Sequence, residues 1–295
     1  MGFEDGGIDL HIHSTASDGT LSPAGVLARG AALGLRALSI TDHDTVDGVV
    51  SALESGIPPK LAFVTGVEVS AGIPDSLDNG QALHLLGYFI RPSDPGLASE
   101  LVLLKKARAE RNPRIVAKLN ALGIPLRMEH VERIADGGQV GRPHMAAALV
   151  EMGAVPSQEA AFDRYLAQGR PAYEEKFRLP APRAIAAIKG AGGLAVMAHP
   201  GSLSMDDRSL ERLVAVLSDM GLAGMEAYYP GHTPSMIKKF SRMARRAGLF
   251  VTGGTDFHGD NKPSVAMGSG KGDLFVPFSL YEEMARAHAR QAAGA

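Results

Sequence analysis

Two histidines in one short apolar run, His11 and His13 within Ile8-Asp9-Leu10-His11-Ile12-His13, set the first chemical constraint on this chain. A strand alternates its side chains between faces, so both imidazoles would project to one side. Two imidazoles so placed can grip one divalent cation, and Asp18, five residues on, can hold a neighbouring one. Further apolar runs also carry ligand-type residues. Residues 38–44 close on Asp42, His43 and Asp44, residues 64–68 on Glu68, and residues 194–199 on His199. His84 lies inside 82–87, and 253–259 holds a second Asp-x-His pair, Asp256 and His258.

Taken singly, each residue has a bland alternative. A lone histidine in an apolar strand, such as His84, is ordinarily a hydrogen-bonded core residue. Asp42 and Asp44 could cap a helix, Asp44 above all because Thr45-Val46 follows it, and Asp18-Gly19 could be a simple turn. Their joint placement at the carboxyl ends of strands, with apolar residues behind them, favours a metal centre.

The elements that must position these residues can be read from the patterning. Strands are expected over 8–13, 36–41, 61–69, 82–90, 193–198, 223–228 and 249–254. A helix opens at Ser22-Pro23, a capping residue followed by proline, and stops at Gly34. Others fit 45–54, 206–220 and 233–247. Alternating strand and helix implies parallel strands with helices outside, in a closed or nearly closed α/β barrel. The stretch 96–190 breaks this rhythm, opening with a charged helix at 101–111, and reads as a mostly helical insertion able to roof a strand-end site. The expected organisation is a discontinuous barrel over 8–95 and 191–275, the insertion over 96–190, and a C-terminal helix over 276–295.

Composition narrows the classes. The 295 residues carry 30 Lys+Arg against 32 Asp+Glu, so no global field favours long nucleic acid or membranes, and an anionic partner must be attracted locally. With no cysteine, any metal must be held through nitrogen and oxygen, which suits Mn, Zn or Fe. No apolar run approaches the roughly 20 residues of a bilayer span. Residues 1–5 are acidic, unlike a signal peptide, so a soluble cytoplasmic protein without a protein partner is expected. Aromatic residues are 5% and Trp is absent, giving little platform for extended single strands. The methionines Met145, Met152, Met197, Met220 and Met225 read as core filler, since thioethers prefer softer ions.

Residues 9–14, Ser17-Asp18-Gly19, Ile40-Thr41-Asp42-His43, Gly66-Val67-Glu68, His199-Pro200 and 254–259, in that order, resemble the polymerase and histidinol phosphatase (PHP) superfamily. The resemblance implies a distorted (β/α)7 barrel and up to three metal ions. It puts His11, His13, Glu68 and Asp256 on the first, Glu68, His84 and His199 on the second, and Asp18, His43 and His258 on the third. Mn2+ would be the first choice, with Zn2+ or Fe2+ also compatible. Gly141-Arg142-Pro143-His144 and Tyr173–Phe177 further resemble the branch acting on nucleotides with 3′ and 5′ phosphates. That implies removal of the 3′-phosphate of adenosine 3′,5′-bisphosphate, and in some relatives trimming of short RNA from its 5′ end. Histidinol-phosphate hydrolysis and a non-catalytic metal scaffold are the competing expectations.

Three divalent ions against three carboxylates would leave about +3, enough to draw phosphate into a weakly acidic protein. Such a centre lowers the pKa of water from about 15.7 towards about 7, with Glu68 and Asp256 at the heart of the chemistry. His232, in Tyr228-Tyr229-Pro230-Gly231-His232, is the candidate non-ligand acid for the leaving oxygen, or else a loop residue. Arg142, with a forked donor set, and His144 and Lys176 are candidates for the second phosphate; otherwise Arg142 and Lys176 are solvated charges and His144 begins a helix.

Overall fold

The computed structural model describes residues 6–294, so the acidic residues 1–5 lie outside the described residues. In chain order the elements are β1 (Ile8–Ile12), α1 (Pro23–Ala32), β2 (Ala37–Ile40), α2 (Asp47–Ser55), β3 (Ala62–Gly72), β4 (Leu83–Tyr88) and α3 (Pro95–Ala121). Then come α4 (Met128–Ala135), α5 (Arg142–Glu151) and α6 (Gln158–Ala161), which runs into a π turn at Phe162–Leu166. The chain ends with β5 (Leu179–Pro180), α7 (Ala181–Gly190), β6 (Leu194–Met197), α8 (Asp207–Asp219), β7 (Gly224–Tyr228), α9 (Pro234–Arg246), β8 (Phe250–Gly253) and α10 (Phe278–Ala293).

Seven strands in the order β1-β2-β3-β4-β6-β7-β8 make a nearly closed barrel, with the two-residue β5 paired on β3. The two ends of this order meet where the chain beyond β8 reaches β1. There His13 N–H donates to Phe257 O at 2.9 Å and Asp256 N–H to His11 O at 2.7 Å. Gly254 permits this approach, because a Cβ there would lie 2.4 Å from the Cβ of His11.

One strand departs from the parallel expectation. Only a three-residue 3-10 turn, Asp75–Leu77, separates β3 from β4, so β4 turns back and pairs antiparallel with both β3 and β6. A hairpin can reverse a strand with a short connection, whereas a parallel partner needs a crossover. His84 therefore sits at the beginning of its strand, not at a carboxyl end, yet the reversal brings it to the same mouth as the other ligand-type residues.

Local signals explain the helix positions. Ser22 accepts from Gly25 N–H ahead of α1, Asp94 from Leu97 N–H ahead of α3, Asp206 from Ser209 N–H ahead of α8 and Thr233 from Met236 N–H ahead of α9. Two apolar clusters cover the barrel and a third fills the insertion. Leu97, Leu101 and Leu104 of α3 and all of α7's buried face join the barrel's cluster. Ile115, Val116 and Leu119 of the same α3 join Val131, Met145, Leu149 and Leu166 in the insertion's cluster. Met145, Met197 and Met225 are fully buried as packing residues. Among the described residues no helix is long and apolar enough to cross a membrane.

Candidate metal centre

The barrel mouth gathers all nine ligand-type residues. Asp9, His11 and His13 share one face of β1 and its end, while Ile8, Leu10 and Ile12 pack into the apolar clusters on the other. Glu68, on β3, is the hub. Its Oε1 lies 2.8 Å from His84 Nδ1 and 3.0 Å from His199 Nε2. Its Oε2 lies 3.5, 3.3 and 2.8 Å from His11 Nε2, His13 Nε2 and His43 Nδ1. Asp256 Oδ1 is 3.6 Å from His11 Nε2 and 3.2 Å from His13 Nε2, and Asp18 Oδ1 is 3.3 Å from His258 Nε2.

The arrangement fits divalent cations on its own chemistry. His11 Nε2, His13 Nε2, His43 Nδ1 and Glu68 Oε2 are buried with no hydrogen-bond partner. Buried polar atoms are rarely left so, and here they point at one another across a gap of ion size. Three sets have mutually close ligand atoms: His13, Asp18, His43 and His258; His11, His13 and Asp256; and His43, Glu68 and His84. Asp18, His43, Glu68, His84, His199, Asp256 and His258 line a cavity of about 270 Å³ together with Pro143, Asn261 and Lys262.

The electrostatics say the same. Burial works to push His13 down, but Asp256 and Glu68 more than offset this and hold it at about 10. Burial likewise opposes the charge on Glu68, yet the surrounding imidazoles, His43 and His84 foremost, keep it well below the usual carboxylate range. Asp18 is held down in the same way by His258 and His43. A site that stabilises several buried carboxylates, with histidine protons as the available countercharge, is one in which metal can replace protons. Two of the residues, His199 (φ 27°) and Asp256 (φ 53°), hold left-handed backbone, which non-glycine residues seldom adopt outside demanding sites.

Several expected residues are used differently. Asp44 caps no helix: α2 starts after Val46 with no side-chain cap. Instead Asp44, itself at φ 54°, is buried and accepts from Ser70 N–H and Oγ, at 2.8 and 2.9 Å, and from Arg108 Nη2 at 2.5 Å. Asp42 accepts from Ser14 N–H and from Ser14 and Ser17 hydroxyls, bracing the β1–α1 loop that carries Asp18. His232 cannot serve as a proton donor as placed. Its Nδ1 donates to Ala227 O at 2.9 Å and its Nε2 accepts from Gly201 N–H at 3.1 Å, and burial pushes its pKa down. His144 Nδ1 accepts from Gly141 N–H at the start of α5, the helix-start role. Arg142 is not a solvated charge: Nη1 donates to Leu166 O at 2.9 Å and its guanidinium lies 5.5 Å from the centre of the Tyr173 ring. Lys176 reaches in from the insertion to Ser70 Oγ and lies 3.4 Å from Asp44 Oδ2.

Other residues escape a motif search. Arg108 and Arg111 of α3 are nearly buried, and the Nε of each has no partner. Arg111 is lowered to about 10 by burial and by Arg108 and Arg142 nearby. Arg108, Arg111, Arg142 and Lys176 thus form a cationic group in which Asp44 is the buried carboxylate. Lys262 donates to Asp256 Oδ2 at 2.7 Å, and Tyr229 hydroxyl to the same oxygen at 3.1 Å. Glu226, fully buried in β7, accepts from His11. A visible signal existed for α3: its buried residues run 97, 101, 104, 108, 111, 115, so two arginines occupy an otherwise apolar stripe.

Fold and site together define a divalent-metal-binding α/β barrel protein. A sequence profile of the PHP domain matches residues 9–121. The chain is 36% identical over 252 residues to a 3′,5′-nucleoside bisphosphate phosphatase of Chromobacterium violaceum, spanning 85% of this chain and 87% of that one. It is 35% identical over 250 residues to a 5′-3′ exoribonuclease of Haemophilus influenzae, spanning 85% and 89%. A solved structure from Bifidobacterium adolescentis, described as a metal-dependent phosphoesterase, superposes with a TM-score of 0.83 at 29% identity, covering 95% of this chain and 96% of that one. The protein belongs to the PHP family.

Proposed function

We propose that this protein is a metal-dependent phosphoesterase that removes the 3′-phosphate of adenosine 3′,5′-bisphosphate to give AMP and phosphate. The observation that carries the reading is the presence of two anion-seeking features side by side. One is the nitrogen and oxygen nest at the barrel mouth, and the other is the group of Arg108, Arg111, Arg142 and Lys176, in which Lys176 lies 3.4 Å from Asp44, the residue next to His43. A monophosphate ester needs the first alone; a bisphosphate uses both.

In this reading His11, His13, Glu68 and Asp256 would hold one ion, Glu68, His84 and His199 a second, and Asp18, His43 and His258 a third, with Mn2+ preferred among ions that accept nitrogen and oxygen. When bound, such ions polarise a phosphoryl oxygen and supply a nucleophile at neutral pH by lowering the pKa of water to about 7. The chain's own residues do the rest. Glu68 divides its two oxygens between neighbouring ligand sets. Tyr229 and Lys262 occupy Asp256 Oδ2, leaving Oδ1 towards His11 and His13. Lys262, at the cavity wall, offers its remaining donors to a phosphoryl oxygen. The guanidinium forks of the insertion hold the distal phosphate, for which lysine alone would give less orientation.

A second reading, exonuclease action on short RNA, is favoured by the exoribonuclease relative, and a 5′-phosphorylated end would offer the same two phosphates across one nucleotide. Phosphate or nucleotide release by metal-reconstituted protein from adenosine 3′,5′-bisphosphate, a 5′-phosphorylated RNA trimer and histidinol phosphate separates the readings. The bisphosphate is expected to give the highest kcat/KM. Preference for the trimer would favour the exonuclease, and preference for histidinol phosphate would overturn both.

A further inference from the structure

Glu226 is a carboxylate in the middle of β7, flanked by Met225 and Ala227 and fully buried. Such a group persists in an apolar strand only where its oxygens are matched by donors. Each oxygen meets a different ligand-type residue. Oε1 accepts from His11 Nδ1 at 2.9 Å, and Oε2 accepts from the backbone N–H of His199 at 2.7 Å. His11 lies on β1 and His199 just beyond β6, and those two strands are not neighbours in the sheet.

We propose that Glu226 is a positioning residue that sets the His11 tautomer and the His199 backbone together, and so couples the ion site holding His11 to the one holding His199. The inference rests on the metal-centre reading above. An ionised carboxylate only accepts, so His11 keeps a proton on Nδ1, and once metal displaces the protons at the mouth it is Nε2 that offers the lone pair. That Nε2 is the buried, partnerless atom facing Glu68 and Asp256. The second oxygen anchors His199 at φ 27° and ψ 61°, from which its ring reaches Glu68 Oε1. Carboxylates behind ligand histidines commonly raise metal affinity by 10–100-fold through such orientation.

An amide cannot replace both contacts. In Glu226→Gln one end still accepts, but the other presents N–H groups to a donor. The variant relaxes by reversing the His11 tautomer or by releasing His199. Three measurements on full-length protein test this. Manganese and zinc uptake by titration calorimetry is expected to weaken at least tenfold in Glu226→Gln, with loss of stoichiometry. Long-range proton–nitrogen spectra of the zinc-loaded wild type are expected to show His11 protonated on Nδ1. Turnover of the variant at saturating metal is expected to show a lower kcat with KM little changed, because the substrate's distal phosphate is held elsewhere. Equal affinities in wild type and Glu226→Gln overturn the proposal. So does a wild-type His11 protonated on Nε2, a result that needs no variant to fold. A wild type that takes up no metal would instead overturn the metal-centre reading itself.

Discussion

Arg108 of the insertion's leading helix donates to Asp44, the residue directly after His43, at 2.5 Å. This ion pair ties the roof of the site to a barrel strand end, and nearly all of it is out of solvent. It neutralises one cation of the group, while among the described residues Arg111 and Arg142 have no carboxylate in hydrogen-bonding reach.

That imbalance predicts a trade between binding and stability at Arg111. A buried cation lacking a carboxylate destabilises the fold, and replacing it by an apolar side chain of similar length is often stabilising. Arg111→Met is expected to raise Tm while raising KM for the bisphosphate about 10–100-fold, the range for lost hydrogen bonds to charged groups. Steady-state kinetics on the bisphosphate and on a simple monoester check this, since the monoester KM should barely change.

Lys176 predicts an alkaline limit to binding. Burial, with Arg108 and Arg111 nearby, lowers its ammonium to about 8 despite the pull of Asp44. Below that pH it is charged and attracts phosphate; above it the charge is lost. KM for the bisphosphate is therefore expected to climb above about pH 8, and Lys176→Met should have a high KM that no longer responds there. A pH series on both proteins decides it.

Protons and metal compete at the mouth. His13 is held at about 10, above the ordinary 6.5, so its protonated form stabilises the metal-free fold fully below 6.5 and loses that contribution as pH rises towards 10. Glu68 and Asp18, held below their ordinary values, contribute above that range and lose it only in acid. Metal-free protein should therefore melt at lower temperature at pH 10 than at pH 6.5, metal-loaded protein much less so. Loading at pH 7 should release protons, visible as buffer-dependent calorimetric heats.

His232→Asn should leave kcat unchanged and cost about 1–3 kcal/mol of stability, since the imidazole satisfies Gly201 N–H and Ala227 O within the core. A large fall in kcat with unaltered Tm would restore the ring to the chemistry.

The seven strands and the ligand-type residues could be read from the chain because both leave local signals: apolar runs, and histidines or carboxylates at their ends. Strand direction left none. Whether β4 ran with or against its neighbours depended on a connection too short for a crossover, with only the 3-10 turn Asp75–Leu77 in it, which is not a feature of residues 83–88. His232 misled because its position in sequence, at a loop before a helix, is silent on the two backbone groups that capture its ring. Arg108 and Arg111 were hidden by composition: within a highly charged helix they read as solvent-facing until their spacing is matched to Leu97, Leu101, Leu104 and Ile115. Glu226 shows the reverse case, a single carboxylate in an apolar strand whose importance depends on residues 215 and 27 positions away.

Helix α3 carries Pro113 in its interior; its first half is seated in the barrel's apolar cluster and its second half in the insertion's, with Arg108 and Arg111 at the crossover. Both halves are anchored, and between them Pro113 has no N–H to give the carbonyl of Ala109, so the join is held by the packing at either end rather than by an intact ladder. The cationic group is accordingly carried on the stretch of helix that bridges the two apolar clusters. In the proposed reading, the separation accepted between two phosphates follows from where that helix is seated at its two ends.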